Sequence, residues 1–134
     1  MTSEEVEIIR HRQRKARETL GEARTLFDQG YTIGVVNRTY YACFYAVSAL
    51  LLSEGLSTSK HSGALSLLSQ HWIKTRRLDS ELWDFYKDLF DRRLTGDYQD
   101  VPAFDRADAE TWLGEAETFI NSIAEWLRQN AGVE

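Results

Sequence analysis

The chain has 134 residues, of which 43% are hydrophobic and 28% charged. That is ordinary globular usage, which excludes disorder, and the length suits one compact domain over 1–134 rather than two. A formal net charge of −5 argues against a free-standing DNA-binding protein, whose balance is usually basic across the whole domain.

The first helix is predicted from about Ser3 to Gln29, with Ile9, Gln13, Ala16, Leu20, Ala23 and Phe27 as its inner stripe. Steps of four and three are what a bundle helix requires, and Gly30 supplies a stop. A second helix, about Tyr31 to Glu54, turns apolar on most sides through Tyr40, Cys43, Phe44, Val47, Leu50 and Leu51. Such a helix is either central or buried on its second face by another chain. The third, about Lys60 to Thr75, aligns His61, Leu65, Leu68 and Trp72. The fourth starts at Asp79 as N-cap, carries Leu82, Tyr86, Leu89 and Arg93 on one line, and is expected to end at Gly96. Asp97 to Phe104, with Pro102, reads as a loop. A last helix from about Asp105 turns Ala109, Trp112, Ala116, Phe119, Ile123 and Leu127 inward. The expected fold is all-α, an up-and-down four-helix bundle with an additional short helix.

No leader or membrane segment is expected. Met1 to Glu7 is polar and acidic, and the longest apolar stretch, Ala42 to Leu52, is about half the length that spans a bilayer. Cys43, the single cysteine, stands among apolar residues as a buried thiol does. A cytoplasmic protein is the default expectation. His11, His61 and His71 do not stand at i, i+3 or i+4, so no metal site is expected, and no motif calls for a cofactor.

Three places hold more polar detail than packing needs. The first is Asn37-Arg38-Thr39-Tyr40-Tyr41 on the second helix, where Asn37 and Tyr41 share a face, as do Arg38, Tyr41 and Tyr45. It reads either as a hydrogen-bonded core network or as the lining of a cleft. The second is His61, which at a helix N-terminus is driven toward neutrality and either relays a proton or merely caps and packs. The third is Arg92-Arg93-Leu94-Thr95-Gly96-Asp97-Tyr98. A guanidinium fork there suits phosphate oxygens, and a phenol can bond a phosphate or receive a transferred group. Spacing alone equally fits an arginine that complements the helix dipole and pairs with Asp97. Arg10, Arg12, Arg14, Lys15 and Arg17 form the one dense basic strip, a solvated face or a docking strip.

Together these pieces resemble the HEPN superfamily, in particular its small stand-alone proteins. The likeness rests on Asn37-Arg38-x-Tyr40-Tyr41-Ala42-x-Phe44, on Lys60-His61-Ser62-Gly63, and on Arg93-x-x-Gly96-Asp97-Tyr98. Ala116-x-x-Phe119-Ile120 supports it, and the match covers about residues 8 to 127. The resemblance implies a helical bundle that forms a homodimer, with the arginine motifs meeting at a shared cleft. It also implies toxin-type function beside a minimal nucleotidyltransferase, in many members as a metal-independent ribonuclease built on an arginine and a histidine. Arg93 matches the arginine, whereas Tyr98 stands where histidine is expected. A tyrosine, with its reference pKa of about 10, is a poor base at neutral pH. The expectation is therefore nucleotide or RNA binding by Asn37, Arg38, Tyr41, His61, Arg93 and Asp97, with Arg93 and Tyr98 as the catalytic pair if the chain is an enzyme. A purely structural bundle that only docks a partner is the remaining alternative.

Overall fold

In the computed structural model the described residues are 1–98 and 104–134, with the backbone alone at 95–98. Five α-helices account for nearly all of them: α1 Ser3–Asp28, α2 Thr32–Leu52, α3 His61–Leu68, α4 Ser80–Tyr98 and α5 Arg106–Ala131. A single π-helical turn, Ser69–Ile73, extends α3. The described residues include no strand.

The helix ends follow from local chemistry. Thr2 and Glu5 form a reciprocal capping box at 3.0 Å each way, satisfying two donors that the first turn of α1 leaves free. Asp105 and Asp108 do the same for α5. Gly30 turns the chain out of α1 at φ +83°, in the left-handed region where a Cβ is costly. Gly96 does not act as a stop. The helix runs through it to Tyr98, so Arg93 lies more than a turn inside α4 rather than at its end. Glycine lowers helix propensity by only about 1 kcal/mol, which surrounding structure can override. The expected loop from Asp97 begins later for the same reason, and its residues 99–103 lie outside the described ones.

α2 is the central element. It packs on α1, α4 and α5, and α3 lies across α2 and α4. Ala16 and Ala23 on α1 and Ala42, Ala46 and Ala49 on α2 are all at most 2% exposed, and such small side chains let the two helices run close together. Cys43, Val47, Leu50 and Leu51 fill the remaining faces of α2, each buried leucine contributing about 1.5–3 kcal/mol. Most of the apolar excess of α2 is thus consumed within the chain, while Tyr41, Phe44 and Tyr45 on the same helix stay only partly covered. The predicted inner stripes of α1 and α5 are buried as expected, except that Phe27 is only partly covered. Arg106 lies over the Phe27 ring at 3.8 Å and donates to its carbonyl at 2.8 Å, tying the start of α5 to the end of α1. No helix among the described residues is long and apolar enough to cross a membrane.

Candidate functional site

The polar residues singled out in the sequence converge where α2, the start of α3 and the second half of α4 meet. Four positions of α2 contribute: Asn37, Arg38, Tyr40 and Tyr41. His61 is the first residue of α3, and Arg93 stands on α4 one turn beyond Phe90 and two beyond Tyr86.

Arg93 lies against an aromatic wall. Its guanidinium carbon is 4.8 Å from the Tyr40 ring centre, 5.7 Å from Tyr41 and 5.9 Å from Phe90. Nη1 donates to the Tyr41 hydroxyl at 3.5 Å, a long bond, and Nε is buried without a hydrogen-bond partner. Among the described side chains no carboxylate pairs with Arg93. The rings thus hold the cation in place, and among the described side chains most of its donors are uncommitted.

Tyr40 is the hub of the site. Its ring is fully buried and stacks on Tyr86 at 5.8 Å and 8°. Its hydroxyl lies 2.7 Å from Nδ1 of His61. Burial pushes the Tyr40 phenol up to about 12, with a hydrogen bond from Tyr86 and then the Arg93 charge opposing, so the hydroxyl keeps its proton. Burial, and then the Arg93 charge, hold His61 below its usual value, so its imidazole is neutral at neutral pH. The helix N-terminus, expected to do this, is not the leading cause. The imidazole also packs on the rings of Tyr41 and Phe44 at 5.5 and 4.5 Å. His61 does not cap α3; that position belongs to Lys60.

The hydrogen between Tyr40 and His61 fixes what the imidazole can do. The Tyr40 hydroxyl is buried between Nδ1 of His61 and the Tyr86 hydroxyl, and accepting from Tyr86 while donating to Nδ1 is the arrangement that satisfies it. The imidazole proton then resides on Nε2, which makes that nitrogen a donor.

Why α3 begins where it does is visible at Gly63. A Cβ there would stand 2.5 Å from Thr58 Oγ1, and that oxygen is itself held by the Lys60 N–H at 3.1 Å. The glycine lets the entry loop close over the first turn and so fixes the position of His61.

Arg38 and Asn37 form a side arm. Two N–H groups of Arg38 donate to Asn37 Oδ1 at 3.0 and 3.1 Å. The guanidinium lies 5.0 Å from the Tyr41 ring and 3.8 Å from a Glu22 carboxylate oxygen. Tyr41 is therefore flanked by two guanidinium groups, those of Arg38 and Arg93. Asn37 reaches the site through Arg38. Asp97 and Tyr98 fall in the last turn of α4, and their side chains lie outside the described residues.

Sequence reasoning placed Tyr40 and Tyr86 in the core, which is where they are, without seeing that Tyr40 carries the contact to His61. The available signal was the Tyr40–Tyr41 doublet, since one of two adjacent helical tyrosines can be buried while the next borders solvent. The basic strip of α1 is partly engaged: Arg10 pairs with Glu7, Arg12 donates to the Ser48 carbonyl, and Lys15 lies 4.5 Å from the Tyr45 ring.

Comparison with known proteins bears on this arrangement. The family model described as HEPN domain matches residues 9–126. A Thermotoga maritima protein named "UPF0332 protein" is 42% identical over 121 residues, covering 90% of this chain and 92% of that one. A Methanocaldococcus jannaschii protein that bears the name "putative toxin" is 33% identical over 113 residues, covering 84% and 77%. Among solved structures, that of TT1696 from Thermus thermophilus superimposes with a TM-score of 0.75 at 22% identity, covering 89% of this chain and 98% of that one.

Proposed function

The chain belongs to the HEPN domain family, and on that premise we propose that it is a toxin-like HEPN module that grips nucleotide or RNA phosphate through Arg93. It acts as a homodimer beside a minimal nucleotidyltransferase. The observation that carries this reading is the Arg93 guanidinium, stacked on Tyr40, Tyr41 and Phe90 without a carboxylate partner among the described side chains. A positioned cation whose donors are largely free among the described side chains suits a phosphate, which takes a planar fork of N–H groups in two parallel bonds. His61 Nε2–H adds a neutral donor beside it, and Arg38 a second cation at the Tyr41 ring. Asn37 orients Arg38.

Titration calorimetry with AMP and with a short single-stranded RNA tests this. The wild type binds, Arg93→Ala binds at least about tenfold more weakly, and Arg93→Lys resembles the alanine variant because a point charge replaces a fork. Equal affinities in the three proteins would exclude Arg93 as the phosphate clamp. Controlled expression in growing cells tests the toxin component: growth arrest by the wild type is relieved by Arg93→Ala and by co-expression of the nucleotidyltransferase.

A metal-independent ribonuclease is the second reading, favoured by one observation, the neutral imidazole beside Arg93. There the ribose 2′-oxygen bonds to phosphorus and gives its proton to His61, while the 5′-oxygen leaves and takes a proton from water. Arg93 offsets the charge that builds on phosphorus. This needs an unprotonated Nε2, the opposite of the tautomer that satisfies Tyr40. Release of 2′,3′-cyclic phosphate ends from RNA in the presence of chelator, lost in His61→Gln, would establish the second reading over the first.

A further inference from the structure

We propose that the groove between the α3–π-turn segment and α4 is a track for a single-stranded phosphodiester chain whose clamped phosphate sits at Arg93. The inference rests on the phosphate-binding reading of Arg93 and extends it by giving the nucleotides beyond the clamped phosphate a path over the surface. The groove has a volume of about 470 Å³ and opens beside the clamp. Ser62, the residue after His61, lines one end. Phe90 lines it too, and the same ring lies 5.9 Å from the Arg93 guanidinium and 6.0 Å from the Tyr40 ring. Clamp and groove therefore share a wall.

The lining suits a polyanion with stackable bases. Lys74 and Lys87 supply charge from opposite sides, and no carboxylate among the described residues lines the groove. Lys74 makes no ion pair among the described side chains, while Lys87 shares its charge with Asp91 at 2.8 Å, a surface pair that a phosphate can displace at little cost. The hydroxyls of Ser62, Ser66 and Ser69 recur along one face of the segment and can donate to phosphate oxygens. Trp83 and Phe90 present partly exposed rings, and Trp83 is fixed by donating from Nε1 to the Leu65 carbonyl at 2.9 Å. A held aromatic ring between cations is the element on which unpaired bases stack.

The test is fluorescence anisotropy on the full chain, with labelled single-stranded RNAs from two to twelve nucleotides and unlabelled AMP as competitor. Affinity should rise with length by tenfold or more. Lys74→Ala/Lys87→Ala should remove most of that rise, flatten the salt dependence by about 1.4 in log–log slope, and leave competition by AMP unchanged. Both lysines are partly or largely exposed, so the double variant should melt with the wild type. AMP binding that depends on Arg93 without any gain from length would overturn the track while sparing the clamp. Length-dependent binding that the double variant retains in full would place the track elsewhere. Loss of neither AMP nor RNA binding in Arg93→Ala, or no binding of either by the wild type, would overturn clamp and track together.

Discussion

The hydroxyl of Tyr40 and Nδ1 of His61 lie 2.7 Å apart, although 21 residues separate them in the chain. One belongs to the central helix and the other to the first turn of a short one, so this contact ties the entry of α3 to the core. Tyr40→Phe keeps the ring and removes the bond. Nitrogen NMR of the imidazole should show the proton on Nε2 in the wild type and a mixed tautomer population in the variant. A wild-type protein with its proton on Nδ1 would contradict the donor role assigned to Nε2. The variant should lose about 1 kcal/mol of stability, the usual net worth of one hydrogen bond.

The depressed pKa of His61 makes stability depend on pH in a stated direction. Below the unfolded value of about 6.5 the unfolded chain takes up this proton before the folded one does. The contribution of His61 is therefore fully present above about pH 6.5 and is lost as pH falls through the lower folded value. Melting temperatures measured from about pH 8 down to about pH 5 should fall more steeply for the wild type than for His61→Gln. Parallel curves would mean that His61 is not desolvated in the folded state.

Arg93 is both ligand donor and packing element, and its variants should separate the two. Stripping the guanidinium from three rings should cost Arg93→Ala about 1–2 kcal/mol of stability, the scale of a desolvated cation–π contact. Arg93→Lys should recover part of that loss, because an ammonium still meets the rings, yet should not recover phosphate affinity. Chemical denaturation and titration of the same two variants give both numbers. Parallel recovery of stability and affinity by lysine would reduce the site to packing.

Gly63→Ala should weaken the site from a distance. The added methyl would press on Thr58 Oγ1 and displace the loop that places His61. Overpacking of this kind costs about 1–3 kcal/mol, and the imidazole resonances should shift along with the melting temperature. Thr58→Ala/Gly63→Ala should recover most of the loss, since it removes the obstructing oxygen. Failure of that rescue would place the effect elsewhere.

Sedimentation at micromolar concentration should report about twice the chain mass. The surface that supports this is the run of rings Tyr41, Phe44 and Tyr45, each only partly covered within the chain. Tyr45→Glu should then shift the equilibrium toward monomer without unfolding, because its ring borders solvent beside Lys15. A folded wild-type monomer would remove the shared cleft.

The helices were legible because their stripes repeat at three and four and because Thr2, Asp105 and Gly30 punctuate them with ordinary chemistry. The centrality of α2 could be read from its greasiness, but not which of two answers applied, since a partner chain and a surrounding bundle leave the same pattern. Of the site, Tyr41, His61 and Arg93 could be nominated singly. Their meeting was implied by the family resemblance and not by spacing, because it depends on how far the turn between α2 and α3 carries the chain back toward α4. Gly96 was a poor guide, since one glycine is a weak stop where the helix on either side is held.

The π-helical turn closed by the Lys74 N–H on the Ser69 carbonyl at 2.9 Å accommodates one residue more than regular winding would over the same rise. Deleting Gln70 would restore an ordinary helix and rotate everything after it by about 100° relative to Ser62 and Ser66. Lys74 would leave the groove wall, Trp72 would turn out of the core, and Arg77 would swing away from the Trp126 ring and from Glu54, to which it donates twice. A single inserted residue thus sets the phase between the hydroxyl-bearing half of this segment and its basic half. Relatives that lack the insertion would carry the same residue types on a surface wound out of step.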